Sequence, residues 1–277
     1  MIMLTQKTAF PISIRNNVKI LGSGSQTILF ANGFGCDQNM WRYVTPSFEA
    51  DYRIILFDYV GSGGSDIAAY DSLRYSTLRG YTKDVLEICQ ELDLSNVIFV
   101  GHSVSGMVGL LAAIEQPKFF SKMIMISPSP CYINNGDYIG GFERKDIEGL
   151  LEMMDKNYIG WANFLGPHIM SNADRPQLGE ELTESFCSTD PLIARNFAEA
   201  TFLSDNRQDL SLNTIETLVL QSSEDMIAPT EIGEYLASNL PHSTLQFMDA
   251  TGHCPHMSHP EEVIGLMKNF LVRESNA

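Results

Sequence analysis

A mostly parallel α/β architecture is the fold class this sequence predicts, and three observations predict it. Short apolar, β-branched runs alternate with amphipathic helical segments, the rhythm of a sheet covered by helices on both faces. One run, Val97-Ile98-Phe99-Val100, ends in Gly101-His102-Ser103-Val104-Ser105-Gly106, and a helix-patterned segment follows. The rhythm then breaks between about Tyr132 and Phe202, a stretch with no convincing strand.

The elements follow in chain order. Strands are expected at Val18–Leu21, Thr27–Ala31, Ile54–Phe57, Val97–Val100, Met123–Ile126, Thr217–Leu220 and Thr244–Met248. These runs are too short for helices and rich in Ile, Val, Leu and Phe. Between them, Val85, Ile88, Cys89 and Leu92 fall at i, i+3, i+4 and i+7. So do Met107, Leu110, Leu111 and Ile114, and again Val263, Leu266, Met267 and Phe270. Each set makes one apolar helical face. In the break, helix-like pieces rich in Met, Phe and Trp are punctuated by Gly160, Gly166, Pro167, Pro176 and Pro191. The expected organisation is a core of residues 1–131 and 203–277 with a helical cap of residues 132–202. That cap is expected after the sixth strand, lying over the strand ends. Its modest length and dense large apolar residues favour it over an independent second domain.

Composition narrows the function classes. The chain has 277 residues, 44% hydrophobic and 19% charged, which suits one large α/β domain with an insertion. No apolar run reaches the ~20 residues of a transmembrane span, so no membrane role is expected. The start, Met1-Ile2-Met3-Leu4-Thr5-Gln6-Lys7, shows no basic segment followed by an apolar one, so no secretory signal is expected. The cysteines at 36, 89, 131, 187 and 254 are odd in number and include no C-x-x-C pair. Reduced thiols in a cytoplasmic protein account for them. A net charge of −16 repels phosphate backbones and anionic lipids, which argues against nucleic-acid partners.

The chemistry is carried by residues just past predicted strands. Ligands of parallel sheets sit beyond the carboxyl ends of their strands. Strand, Gly-x-Ser-x-Gly and helix together suggest a nucleophile elbow, a tight turn that holds the Ser103 hydroxyl exposed above the sheet. A Cβ at position 101 or 106 would collide where helix and strand pack closely. A serine nucleophile needs a base, and the base needs an orienting acid. Gln221-Ser222-Ser223-Glu224-Asp225 follows one late strand, and Asp249-Ala250-Thr251-Gly252-His253 follows the last. Asp225 is preferred to Glu224 because its shorter arm suits a fixed acid. His253 has rivals in His256 and His259, which read as structural or as caps of the following helix. A three-histidine metal site is disfavoured, because Pro255 and Pro260 disrupt the helix that would align the rings and no acidic ligand is interleaved. No metal is therefore expected. His102 is expected beneath the elbow.

An oxyanion needs two donors. One is the N–H after the nucleophile, that of Val104. The other is expected from Asn32-Gly33-Phe34-Gly35 after an early strand, with the Phe34 N–H as the candidate. The Gly-rich loop Asp58 to Asp66 lacks G-x-G-x-x-G and a Walker lysine, so no phosphate-bearing cofactor is expected. Phe34, Trp161, Phe164, Phe197 and Phe202 are the candidate lining of an apolar substrate pocket, and Phe142 adds a further large surface. Burying one such ring is worth roughly 1.5–3 kcal/mol. For any single ring, gluing cap to core is the competing account.

These pieces together resemble the α/β-hydrolase fold family, over nearly the whole chain. The order Ser103, Asp225, His253 is that family's order. Longer words resemble one subgroup, the RsbQ-like bacterial stress regulators with the plant karrikin and strigolactone receptors. They are Gly33-Phe34-Gly35-Cys36-Asp37-Gln38, Leu56-Phe57-Asp58-Tyr59-Val60-Gly61-Ser62-Gly63 and the elbow itself. Ser127-Pro128-Ser129-Pro130-Cys131-Tyr132 and Glu152-Met153-Met154-Asp155-Lys156-Asn157-Tyr158-Ile159-Gly160-Trp161 add to them. So do Phe186-Cys187-Ser188-Thr189-Asp190-Pro191 and Gly252-His253-Cys254-Pro255-His256-Met257-Ser258-His259-Pro260. The segment before Val18 matches no such word. The resemblance implies a four-helix cap over a closed, largely apolar pocket, with the triad Ser103, Asp225 and His253 at its floor and Phe34 and Val104 at the oxyanion hole. It implies a small hydrophobic ligand. It also implies a partner phosphatase carrying a PAS domain, in a stress pathway that activates an alternative sigma factor. A general carboxylesterase sharing only the fold is the alternative. A dehalogenase would need an acid at position 103, which holds Ser.

Overall fold

A computed structural model describes residues 11–272. Its centre is a seven-stranded sheet: β1 (Lys19–Leu21), β2 (Gln26–Ala31), β3 (Tyr52–Leu56), β4 (Val97–His102), β5 (Phe120–Ile126), β6 (Glu216–Glu224) and β7 (Ser243–Thr251). The strand order is β1-β3-β2-β4-β5-β6-β7. In this sheet β1 pairs antiparallel with β3, and the other neighbouring strands pair parallel. The helices are α1 (Ile12–Arg15), α2 (Leu78–Glu91), α3 (Val104–Glu115), α4 (Arg144–Lys156), α5 (Tyr158–Met170), α6 (Pro176–Ser188), α7 (Pro191–Phe202), α8 (Thr230–Asn239), α9 (Pro255–Ser258) and α10 (Pro260–Leu271).

Successive strand residues point to opposite faces, and each face has its own core. Ile28, Phe30, Ile98, Val100, Ile124 and Ile126 face one side, with Val263, Met267 and Phe270 of α10. Leu29, Ala31, Val97, Phe99, Met123 and Met125 face the other, with residues of α2, α3 and α8. Every residue of α3 from Val104 to Ala113 is buried, so this helix exceeds the single apolar face its spacing predicts. The sheet covers it on one side and α2 packs on another.

Helices α4 to α7 lie between β5 and β6. Their inward residues, among them Ile147, Leu151, Trp161, Leu165 and Phe186, join the same apolar cluster as one face of the sheet. Among the described residues this insertion follows the fifth strand, one earlier than the sixth expected. Only five strands precede it, because β1 pairs antiparallel at the sheet edge and no further strand lies between residues 11 and 126. The strands β6 and β7 run further than their apolar residues predict. Gln221↔Phe247, Ser222↔Met248 and Glu224↔Thr251 are paired across a bulge, so backbone hydrogen bonds carry polar residues into the ladder as it leaves the core.

Candidate active site

The chain leaves β2 toward β3 on one side and β4 toward β5 on the other, although β2 and β4 are neighbours. Their following loops therefore diverge and open a crevice at the strand ends. Phe34 enters it after β2, Ser103 after β4, Asp225 after β6 and His253 after β7.

Ser103 sits between β4 and α3 with φ 55° and ψ −126°, a conformation L side chains rarely adopt. The turn is held by the Ser103 N–H, which donates to the Ile126 carbonyl at 2.8 Å, and by the Gly106 N–H, which donates to the Ser103 carbonyl at 2.9 Å. A Cβ on Gly101 would lie 2.5 Å from the Ser105 carbonyl oxygen, so this glycine is required by close approach. At Gly106 the nearest atom is Pro128 Cβ at 3.0 Å, a tighter fit than usual but one a small shift relieves.

His253 Nε2 lies 2.7 Å from Ser103 Oγ, and His253 Nδ1 lies 2.7 Å from Asp225 Oδ2. A carboxylate only accepts, so Nδ1 carries the hydrogen and Nε2 accepts from the serine. The other Asp225 oxygen accepts the N–H groups of Ile227 at 2.8 Å and Ala228 at 3.1 Å, which fixes the acid. All three side chains are buried.

The loop bearing His253 is clamped from both sides. The His253 N–H donates to the Ile169 carbonyl of α5 at 2.9 Å, and the Gly252 N–H donates to the Glu224 carbonyl at 2.7 Å. Beneath it, His102 Nε2 bonds the His253 carbonyl oxygen at 2.7 Å. Gly252 has φ +85°, and a Cβ there would lie 2.0 Å from the Met170 carbonyl oxygen. Gly252→Ala should displace the imidazole and lower kcat on a chromogenic ester about 10²-fold, the usual scale for misplacing a catalytic group by an ångström. Its thermal midpoint, read by calorimetry, should fall as well.

Two further imidazoles lie behind the triad. His256 packs on Trp41 at 4.6 Å and on His102 at 4.4 Å between ring centroids. Burial holds His102 well below the usual histidine range, helped by His256 and His253. Burial also lowers His256, to about 3, with His253 and Arg42 adding to it. Both rings are therefore neutral at ordinary pH. Cys36 and Cys254 flank the crevice. Burial pushes the Cys36 thiol up to about 12 and the Cys254 thiol well above its usual range, so neither is a thiolate nucleophile. The Val104 N–H opens α3, where helix donors have no partner within the helix. Among the described residues neither this N–H nor that of Phe34 meets an acceptor.

A narrow cavity opens on Ser103 and His253, lined mainly by Phe34, Ile169, Leu182, Phe186, Phe202 and Ile227. Residues 28–266 match the alpha/beta hydrolase family. The chain belongs to that family. This alpha/beta hydrolase is 38% identical over 253 residues to karrikin insensitive 2 receptor CA of Petunia hybrida, covering 91% of this chain and 94% of the relative. It is 36% identical over 258 residues to strigolactone esterase D14 of Arabidopsis thaliana, covering 93% and 96%. A solved hydrolase from Oleispira antarctica superposes with a TM-score of 0.93 at 47% identity, covering 95% of this chain and 97% of that one. The Ser103–His253–Asp225 arrangement in this alpha/beta hydrolase is the geometry of a serine hydrolase.

The expected pocket residues scatter. Phe34 and Phe202 line the cavity. Trp161 is buried behind them, 6.1 Å from the Phe34 ring. Phe197 lies on the other side of Phe34, at 5.5 Å, and lines a separate cleft with Tyr59 and Tyr81. Phe164 does not belong to the pocket. It is 50% exposed and packs on His168. The inward face of α5 is Trp161, Ala162, Leu165 and Ile169, at helical spacing, and Phe164 is one residue out of phase. Phe142 is partly buried against the core.

Pro255 and Pro260 do not disrupt helices; they begin α9 and α10, where a missing N–H costs nothing. His259 precedes α10, but its ring bonds the Ser258 hydroxyl instead of capping the helix. Among the described residues no cluster of His, Cys, Asp or Glu is placed to hold a metal ion, and no helix is long and apolar enough to cross a membrane. Sequence reasoning missed Tyr132, whose phenol lies beside the Ser103 hydroxyl; burial pushes it up and the serine opposes that. Its place in the segment that leaves the carboxyl end of β5, before the inserted helices, was the available signal.

Proposed function

We propose that this alpha/beta hydrolase cleaves a small hydrophobic ester or lactone, slowly, and that the event is read as a stress signal. The carrying observation is the unbroken relay from Asp225 through His253 to Ser103, opening on a narrow apolar cavity. Ser103 Oγ attacks the acyl carbon while His253 Nε2 takes its proton. The Phe34 and Val104 N–H groups hold the oxyanion. His253 then gives the proton to the leaving oxygen, and water repeats the sequence to free the acid. Every group in that relay is a side chain or backbone N–H of this chain, so the reading calls on no cofactor. Residues 132–202 serve as the cap that keeps water and bulky substrates out, with Phe34 and Phe202 lining the apolar space and Trp161 and Phe197 packed against the Phe34 ring from outside it.

The signalling part rests on kinship. Its relatives include proteins named karrikin insensitive 2 receptors and others named strigolactone esterases. The longer words of the sequence add the RsbQ-like stress regulators. On this reading the protein acts in the cytoplasm, binds a small hydrophobic ligand and docks on a PAS-domain phosphatase that leads to an alternative sigma factor. Mass spectrometry of protein recovered from cell extract should show an acyl adduct on Ser103, and a deletion strain should lose stress induction. High turnover on many unrelated esters, with normal stress induction in the deletion strain, would instead mark a general carboxylesterase of metabolism.

A further inference from the structure

Thr201 lies at the end of α7, one residue before Phe202, and lines the same cavity as Ser103 and His253. It is 1% exposed, and its hydroxyl has no partner among the described residues. A buried threonine in a helix ordinarily donates to the carbonyl three or four residues back. Other threonines of this molecule do so. Thr82 donates to the Leu78 carbonyl at 3.0 Å, and Thr183 to the Gly179 carbonyl at 2.9 Å. The Thr201 hydroxyl departs from that habit where its helix meets the cavity.

Tyr132 is 1% exposed, packs its ring on Phe202 at 5.1 Å and turns its phenol to the Ser103 hydroxyl, so it does not supply a partner for Thr201. An unpaired hydroxyl in the wall of an apolar cavity is costly unless something within the cavity pairs with it. Val would fill the Thr201 site with the same shape and no such cost. A purely hydrocarbon ligand would leave that cost in place.

We infer that the cavity contains a second polar subsite at the Thr201 hydroxyl, and that the ligand is an ester or lactone carrying a further oxygen, as hydroxyl, ketone or ether, apart from the acyl group that Ser103 attacks. The hydroxyl both donates and accepts, so it serves any of these groups. Tyr132, beside Ser103, places its phenol nearer the reacting group, and Thr201 reads the remote one. This deepens the hydrolase reading and rests on it.

The test compares esters that differ only by an oxygen in place of a methylene. The pairs are p-nitrophenyl methoxyacetate with p-nitrophenyl butyrate, and p-nitrophenyl 3-methoxypropanoate with p-nitrophenyl pentanoate. Intrinsic reactivity cancels when the ratio of kcat/KM within a pair is compared between proteins. Thr201→Val should lower the oxa-to-carba ratio about tenfold for at least one pair, the scale of one lost hydrogen bond. Thr201→Ser, which keeps the hydroxyl, should hold the ratio near wild type. A ratio unchanged within twofold for both pairs overturns the subsite. Binding is read separately in the Ser103→Ala background, by thermal shift with the same intact esters. There the oxa ester should bind more tightly than its partner, and the difference should vanish when Thr201→Val is added. Equal shifts for both members of each pair overturn the subsite, whereas wild-type protein that binds but turns over none of them fails the hydrolase reading alone.

Discussion

Ser103→Ala is expected to lower kcat/KM on a chromogenic ester by at least ~10⁴-fold while leaving the fold intact. The hydroxyl removed is the one 2.7 Å from His253 Nε2, and nothing else at the site replaces it. Cys36 and Cys254 are the nearest alternatives, and burial keeps both as thiols. His253→Ala should cost as much, and the double variant no more, because the two act as one unit. Asp225→Asn should cost ~10⁴-fold for a different reason. An amide in place of the carboxylate can donate to Nδ1, which favours the tautomer whose Nε2 carries the hydrogen and cannot accept from the serine. Steady-state kinetics with active-site titration checks all three, and near-UV circular dichroism confirms folding. Wild-type turnover in Ser103→Ala would sink the mechanism.

The parts of this molecule that were legible in its sequence share a physical reason. The inner strands β2, β4 and β5 announce themselves because a sheet covered on both faces demands unbroken apolar runs such as Val97 to Val100. The triad is legible because parallel strands deliver their following residues to one edge. An order along the chain therefore becomes a place in space. What was not legible depends on rotation. Phe164 and Phe186 are both large apolar residues on the inserted helices, yet one faces solvent and the other faces the cavity. Composition cannot tell them apart; only the phase of α5 and α6 against each other does. The same holds for Thr201, which is an ordinary helical residue until α7 is seen to end at the cavity. The prolines at 255 and 260 show a subtler failure. Proline breaks a helix from within and begins one from its first position, and only the helix boundary decides which applies.

The acid limit of this fold should be set by the imidazoles behind the triad, before most carboxylates matter. An unfolded histidine titrates near 6.5, whereas burial lowers His256 to about 3 and takes His102 well below its usual range. Between those values the unfolded chain binds protons that the folded chain refuses, so stability present above pH 6.5 is lost as pH falls. With two such groups the slope near pH 5.5 should approach 2–3 kcal/mol per pH unit, a large share of the ~5–15 kcal/mol that holds a domain together. Carboxylates held down by arginine partners act below this window. Glu87 and Asp205 are lowered by their arginine partners from ordinary values of 4.5 and 3.8, so their share is lost only at lower pH. Asp84 works with the opposite sign, because burial raises its carboxyl and its folded form takes up a proton first. Urea unfolding at pH 5.0, 5.5 and 6.0 reads the slope directly. His256→Gln removes one imidazole, and whatever it does to absolute stability, it should cut the slope by about one proton's worth, ~1.4 kcal/mol per pH unit. Coincident slopes for wild type and variant would mean that His256 is charged within the folded core, which its packing between Trp41 and His102 does not allow.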